Sequence, residues 1–227
     1  MKSTLTKLAL TSALIMSSSL MALEIDVKIT NLTSGINFTP LLVSAHDSST
    51  KLFIAGSTAS TNLKAMAEGG DISGLVADLD NINANTISNP VNAEDASKNL
   101  LAPGASTVAS LTTAAGNDYL SIVAMMLPTN DGFVAMNSVK IPTEVGTYKY
   151  VLNAHDAGTE ANTELSADIP ALANGIGATG LATASEGFVH IHRGNVGDTD
   201  SSAGISDINA STQRFLNPVA SVIITVK

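Results

Sequence analysis

The amino-acid sequence predicts an all-β protein, an antiparallel β-sandwich with one or two short helices in its connecting loops. Three observations carry this. Apolar and polar residues alternate with period two in short runs, such as Leu23 to Thr30 and Thr147 to Ala154. The run Tyr119 to Leu127 (YLSIVAMML) is apolar almost throughout, as expected of a central strand covered on both faces. Turn signals separate these runs, and helical spacing appears in only one or two short stretches.

Taken in order, Leu23, Ile25, Val27 and Ile29 alternate with Glu24, Asp26 and Lys28, giving a first strand with one buried face. Asn31 to Asn37 reads as a turn, and Pro40 to Ala45 as a second strand ending at His46-Asp47. Phe53-Ile54-Ala55 is a short apolar segment that stops at Gly56. From Ser60 to Glu68 the period changes. Leu63, Met66 and Ala67 fall at helical spacing, Ser60 suits an N-cap, and Gly69-Gly70 ends the run.

Ile72 to Leu79 reads as a second short helical turn, and Asp80 to about Asn99 as a long irregular loop, a kind of segment that often carries function. Strands resume at Ser106 to Leu111, Tyr119 to Leu127 and Phe133 to Val139, with a turn over Pro128 to Gly132. In Thr147 to Ala154, Tyr148, Tyr150 and Leu152 share one face. Leu165 to Glu186 is loop-like, and Gly187 to His192 and Val219 to Val226 are the last strands. No repeat or internal domain boundary is visible.

Residues 1–22 read as a secretory signal peptide: Lys2 and Lys7 precede a short apolar run, Leu8 to Met16, and Ala22 is the expected last residue removed. The apolar run falls short of the roughly 20 residues that a membrane span needs, so no transmembrane segment is expected. The folded domain is then 23–227, secreted or periplasmic. The chain contains no cysteine, so neither a disulfide nor a lipid-modified cysteine is available, and burial of apolar side chains must hold the domain together. With 44% hydrophobic residues but no Trp, the core must be built mainly from Ala, Val, Ile, Leu and Met. A bound metal would add stability by selecting the folded state.

Without Lys2 and Lys7, 9 basic residues face 20 acidic ones, a net charge near −11. Such a chain is a poor match for nucleic acid or for anionic membranes; its carboxylates favour cations. Enzyme signatures are missing. There is no G-x-S-x-G elbow, no phosphate-binding loop and no H-E-x-x-H helix, and no catalytic activity is expected.

Two acidic stretches imitate calcium loops weakly. Asp198-Thr-Asp200-Ser-Ser202 starts like an EF-hand loop, but Ala203 and Asn209 stand where that loop needs Gly and Glu. Gly69-Gly-Asp-Ile-Ser-Gly74 is an unrepeated echo of a calcium β-roll. Both read as solvated loops. Stronger as a pair are Thr129-Asn130-Asp131-Gly132-Phe133 and His155-Asp156-Ala157-Gly158-Thr159-Glu160, each a turn following an apolar strand. If those strands are neighbours, Asp131 and Asp156 meet, and Glu160 can fold back across Gly158 to complete an oxygen-ligand site for calcium. The alternative is that each Asp caps its own turn through an Asx hydrogen bond. Spacing alone does not choose.

The chain resembles the spondin domain family, the N-terminal module of F-spondin and mindin that also occurs in small secreted bacterial proteins. The resemblance rests on Leu41-Leu-Val-Ser-Ala-His-Asp47, Leu52-Phe-Ile-Ala-Gly56, Ala59 to Gly69, Met126-Leu-Pro-Thr-Asn-Asp-Gly-Phe-Val-Ala135, His155-Asp-Ala-Gly-Thr-Glu160 and Asn217-Pro-Val-Ala220. It implies an antiparallel β-sandwich similar to calcium-dependent membrane-targeting modules, with a calcium ion held by loop carboxylates at Asp131, Asp156 and Glu160. Animal members typically carry an aspartate at the position of Glu160 and often a tyrosine at that of His155. They also have a tryptophan near Phe133 and structural cysteines, which this chain lacks, so their adhesive roles do not transfer.

His190-Ile191-His192 is the other chemical feature. In a strand, residues i and i+2 share a face, so the two imidazoles form a possible chelate for copper or zinc, with His46 as a third ligand; the alternative is that they hydrogen-bond within the fold. The expected function is an exported, non-catalytic, calcium-binding module presenting its loops to an extracellular or cell-surface protein or glycan. The competing expectation is a copper- or zinc-binding protein using His46, His190 and His192.

Overall fold

The computed structural model describes residues 22–88, 100–170, 172, 184–200 and 203–227. The expected signal peptide and much of the 80–99 and 165–186 loops fall outside these residues. The described chain is all-β and antiparallel with two short helices. Its elements are β1 (Glu24–Asn31), β2 (Asn37–Phe38), β3 (Leu42–His46), α1 (Thr61–Gly69), α2 (Ser73–Asp80), β4 (Asn85–Ser88), β5 (Ser106–Thr112), β6 (Tyr119–Leu127), β7 (Gly132–Lys140), β8 (Gly146–Asp156), β9 (His190–Ile191) and β10 (Ala220–Val226).

The strand order is β4-β3-β6-β7-β8-β10-β1-β5, with β2 beside β6 and β9 beside β8. The long strand β8 belongs to both halves. Gly146 to Leu152 pair with β10, and Asn153 to Asp156 pair with β7. The chain thereby folds one sheet over against itself. The outer strands β4 and β5 also approach, where Asn85 Oδ1 accepts from the Ala114 N–H at 2.7 Å and from Asn117 Nδ2 at 2.9 Å. The sandwich is thus nearly closed into a barrel, which leaves little unpaired edge exposed.

Alternation places the core. Ile25, Val27 and Ile29 of β1 point inward with Val222 and Ile224 of β10, against Val43, Ile122, Ala124 and Val134 from the other half. The second face of β3, β6 and β7 is apolar as well: Leu42, Val123, Met125 and Phe133 pack under Leu63, Met66, Leu75 and Leu79 of the helices. This is why β6 is an unbroken apolar run. In β8, Tyr148 and Tyr150 are half-buried and Leu152 is buried, while Lys149 and Val151 face solvent. Helix α1 begins where the Ser60 hydroxyl accepts the Leu63 N–H and ends at Gly70, whose φ of 71° is left-handed, the backbone state glycine adopts without strain.

Local readings and the structure differ at several points. Asn37 and Phe38 form a two-residue strand rather than ending a turn, because Leu127 and Met126 of β6 pair with them. The short apolar segment Phe53-Ile54-Ala55 lies outside the strands, and Phe53 sets its ring edge-on to Phe133, with centroids 5.3 Å apart. The strand expected over Gly187 to His192 is confined to His190–Ile191. Within the 80–99 stretch, Asn85–Ser88 pair with β3.

Candidate metal centre

The site lies at the end of the barrel where β6 turns into β7 and β8 finishes. Thr129 closes the turn: its hydroxyl donates to the Met126 carbonyl at 2.6 Å and accepts the Gly132 N–H at 3.0 Å. Strands β7 and β8 are neighbours, and Gly132 stands in register with Asp156. Asp131 and Asp156 therefore lie at the same end of the sheet, both buried and near enough for the Asp156 charge to act on Asp131; the side chains whose ligand atoms come within 4.8 Å of one another are Asp156, Glu186 and His190 rather than Asp131, Asp156 and Glu160.

Each carboxylate also organises the loop that follows β8. Asp131 Oδ2 accepts the N–H groups of Thr159 at 2.7 Å and Glu160 at 3.0 Å, and the Thr159 hydroxyl at 3.2 Å. This folds the 157–160 loop back over Asp131 and buries Glu160. Asp131 Oδ1 is buried and has no hydrogen-bond partner. Asp156 Oδ1 accepts the Gly158 N–H at 2.7 Å and Oδ2 accepts Asn162 Nδ2 at 2.8 Å. The Asx cap expected as an alternative is present at Asp156, whereas Asp131 caps a different segment from its own.

No lysine or arginine forms an ion pair with Asp131 or Asp156 among the described residues. Burial, and then the neighbouring Asp156 charge, pushes the Asp131 carboxyl up to about 7, against the opposing pull of the N–H groups of Thr159 and Glu160. Two buried carboxylates that cannot both ionise cheaply need either a proton or a cation between them. The donor set, all oxygen, fits a hard cation such as calcium, and the orphaned Asp131 Oδ1 is the atom open to it.

The histidines are dispersed. His46 lies opposite Tyr119, at the far end of β6, roughly 26 Å of strand away from Leu127 at about 3.3 Å per residue. Its Nδ1–H donates to the Asp47 carbonyl and its Nε2 accepts the Ser121 hydroxyl, both at 2.8 Å. Both ring nitrogens are spent within the fold, so His46 does not join the other two histidines. His155, one residue from Asp156, points to the opposite side of β8 as the pleat requires. Its ring lies 4.9 Å from that of Phe53 and stacks 5.5 Å from Phe133. Burial lowers its pKa and favours the neutral ring.

His190 pairs in register with Asp156, and the His192 N–H donates to the Ala154 carbonyl at 3.1 Å. Among the described residues His190 groups with Asp156 and Glu186 rather than with His192. His192 Nδ1 accepts the Gly194 N–H at 2.9 Å, and burial lowers its pKa. The neutral ring then carries its proton on Nε2, which leaves no lone pair for a metal. His190 is built the other way. Its Nδ1–H donates to the Ile191 carbonyl at 3.0 Å, which turns Nε2 toward the carboxylates, 3.5 Å from Asp156 Oδ1 and 3.8 Å from Glu186 Oε1.

Glu186 was not singled out by the sequence, since it ends a stretch that reads as loop; an acid just before the turn glycine that opens the His-x-His segment was the available signal. Glu164 was also missed. It is a tether: Oε1 accepts the Val196 N–H at 2.6 Å, and Oε2 accepts the Gly197 N–H at 2.8 Å and the Ser206 hydroxyl at 2.7 Å. In the EF-hand-like stretch, Asp198 Oδ2 caps the N–H groups of Ile205 and Ser206 at 2.9 and 3.0 Å, so that carboxylate serves its own loop.

A β-barrel-like sandwich with paired carboxylates at one loop end defines the class, an all-β module with a candidate cation site. The chain belongs to the spondin N-terminal domain family (Spondin_N), whose family model matches residues 30–175. The match contains Asp131, Asp156 and Glu160 and stops short of Glu186, His190 and His192. No curated protein matches the chain. No helix among the described residues is long and apolar enough to cross a membrane.

Proposed function

We propose that this chain is an exported, non-catalytic calcium-binding module of the spondin kind, and that the ion fixes the loops around Asp131, Asp156 and Glu160 for an extracellular or cell-surface protein or glycan. The observation that carries the reading is the buried Asp131–Asp156 pair with Asp131 Oδ1 unpartnered. Calcium would be held by Asp131 and Asp156, with Glu160 completing the set, and would supply a positive charge to two carboxylates that form no ion pair with lysine or arginine among the described residues. Membership of the spondin family supports export and a binding rather than catalytic role. Exposed Val196 and Ile205 line one cavity with Asp156 and His192, and apolar side chains exposed beside the site favour a macromolecular partner.

Thermal melting with calcium and with chelator tests this. A ligand bound only by the folded state adds RT ln(1 + [L]/Kd), about 2.7 kcal/mol at one hundred times Kd. Chelator should lower the melting temperature of the natural protein and leave the Asp131→Asn, Asp156→Asn double variant almost unmoved. An equal chelator response in the two proteins, or none in the natural one, overturns the reading.

A further inference from the structure

We propose that Asp156, Glu186 and His190 form a second cation site beside the first, one for a borderline divalent transition ion of the zinc class. One ligand atom from each of the three residues lies within 4.8 Å of the others. Atoms bound at about 2.0–2.1 Å to one tetrahedral ion stand roughly 3.3 Å apart. The 3.5 and 3.8 Å separations from His190 Nε2 to the two carboxylates are close to that value.

The hydrogen bonds around the cluster prepare it for a metal. The Ile191 carbonyl takes the Nδ1 proton of His190 and so aims a lone pair at the carboxylates, the arrangement by which outer contacts orient metal-ligating histidines. Asn162 Nδ2 donates to Asp156 Oδ2 at 2.8 Å and to Glu186 Oε1 at 3.3 Å, holding the two carboxylates side by side. Arg193 reaches Glu186 from outside at 3.6 Å. His190 Nε2 and Glu186 Oε2 are nevertheless buried without hydrogen-bond partners. Three acceptors facing one another repel unless a positive charge lies among them. Two carboxylates and a neutral imidazole balance a divalent ion, and a mixed N/O donor set suits zinc better than calcium.

This site does not depend on the calcium reading. The two share Asp156 alone, and Glu186 and His190 lie beyond the family match that ends at residue 175. The rival account is a plain ion pair, with His190 protonated between the two carboxylates.

Calorimetric titration of metal-stripped protein with zinc, at about pH 7.5 and in excess calcium, separates these accounts. One zinc per chain is expected. Loss of an outer-shell contact alone costs about 10–100-fold in metal affinity, so Glu186→Gln and His190→Ala should each weaken zinc by about 100-fold or more. Asp131→Asn should leave zinc binding unchanged whether or not calcium binds. Cobalt substituted for zinc should give visible absorption that His190→Ala abolishes. Far-ultraviolet circular dichroism of the stripped variants controls for folding, and should Glu186→Gln fail to fold, His190→Ala decides alone. The proposal is overturned if no stoichiometric zinc binds, if both variants bind zinc like the natural protein, or if excess calcium abolishes zinc binding.

Discussion

Asp131 and Glu160 are joined across the end of the barrel: the Glu160 N–H donates to Asp131 Oδ2 at 3.0 Å. The residue that turns β6 into β7 thereby holds the loop that leaves β8. Its second oxygen is left buried and unpartnered, so the contact that shapes the loop also leaves an oxygen that a proton or a cation can take.

The first prediction follows from the Asp131 carboxyl, raised from 3.8 to about 7 by burial and by Asp156. Between these values the folded chain holds a proton that the unfolded chain has released. Its contribution to stability is therefore fully present below about 4 and is lost as pH rises through about 7. In chelator, urea unfolding should show stability falling over this window, and Asp131→Asn should flatten that component. Saturating calcium should offset the loss at the high end, because the ion replaces the proton.

Gly158 is the second test. Its φ is +65°, and a Cβ there would collide with the backbone of Phe188. Gly158→Ala should destabilise by about 1–3 kcal/mol, the range typical of backbone strain. It should also weaken zinc, because the displaced segment carries Glu186 and His190. Denaturant midpoints and the zinc isotherm report the two effects separately.

Glu164 holds Val196, Gly197 and Ser206. Glu164→Ala removes three acceptor contacts in a buried place, where an orphaned donor costs about 1–3 kcal/mol. The expected outcome is a destabilisation of about 2 kcal/mol or more, with faster amide exchange at Val196 and Gly197. Exchange in β6 should change only as much as global stability does.

His46 should prove structural. His46→Ala leaves the Ser121 hydroxyl without its acceptor and opens a cavity, at a cost of about 2–4 kcal/mol. Zinc and calcium isotherms of the folded variant should match those of the natural protein. A zinc affinity lowered by this variant would bring back the copper- or zinc-binding role expected of His46.

The elements most legible in the sequence are those whose cause is local. Strand β6 spans Tyr119–Leu127 as read, since an apolar residue at nearly every position suits only a strand covered twice. Helix α1 starts and stops at its own signals, Ser60 and Gly70. The acidic turns were legible as candidates because Asp131 and Asp156 each end an apolar run.

Two-residue strands were not legible. β2 and β9 exist only because Met126 and Leu127 in one case, and His155 and Asp156 in the other, offer them partners. That the structure groups His190 with Asp156 and Glu186 rather than with His192 was not legible for a related reason. Period two puts His190 and His192 on one face, but it does not say which ring nitrogen a later backbone N–H will claim, and Gly194 claims His192 Nδ1.

By itself, then, the sequence determined the all-β class, the doubly covered central strand, the first helix and its caps, and the spondin family. These follow from side-chain periodicity and from backbone preferences that act over a few residues. Only the tertiary structure decided that the sandwich nearly closes through β8, that His46 stands at the wrong end to meet His190, and that Glu186 comes to Asp156. Those facts depend on pairings between segments 30 or more residues apart, such as Glu186 with Asp156. Such pairings form through the burial and hydrogen bonding of the whole barrel, and no local pattern encodes them.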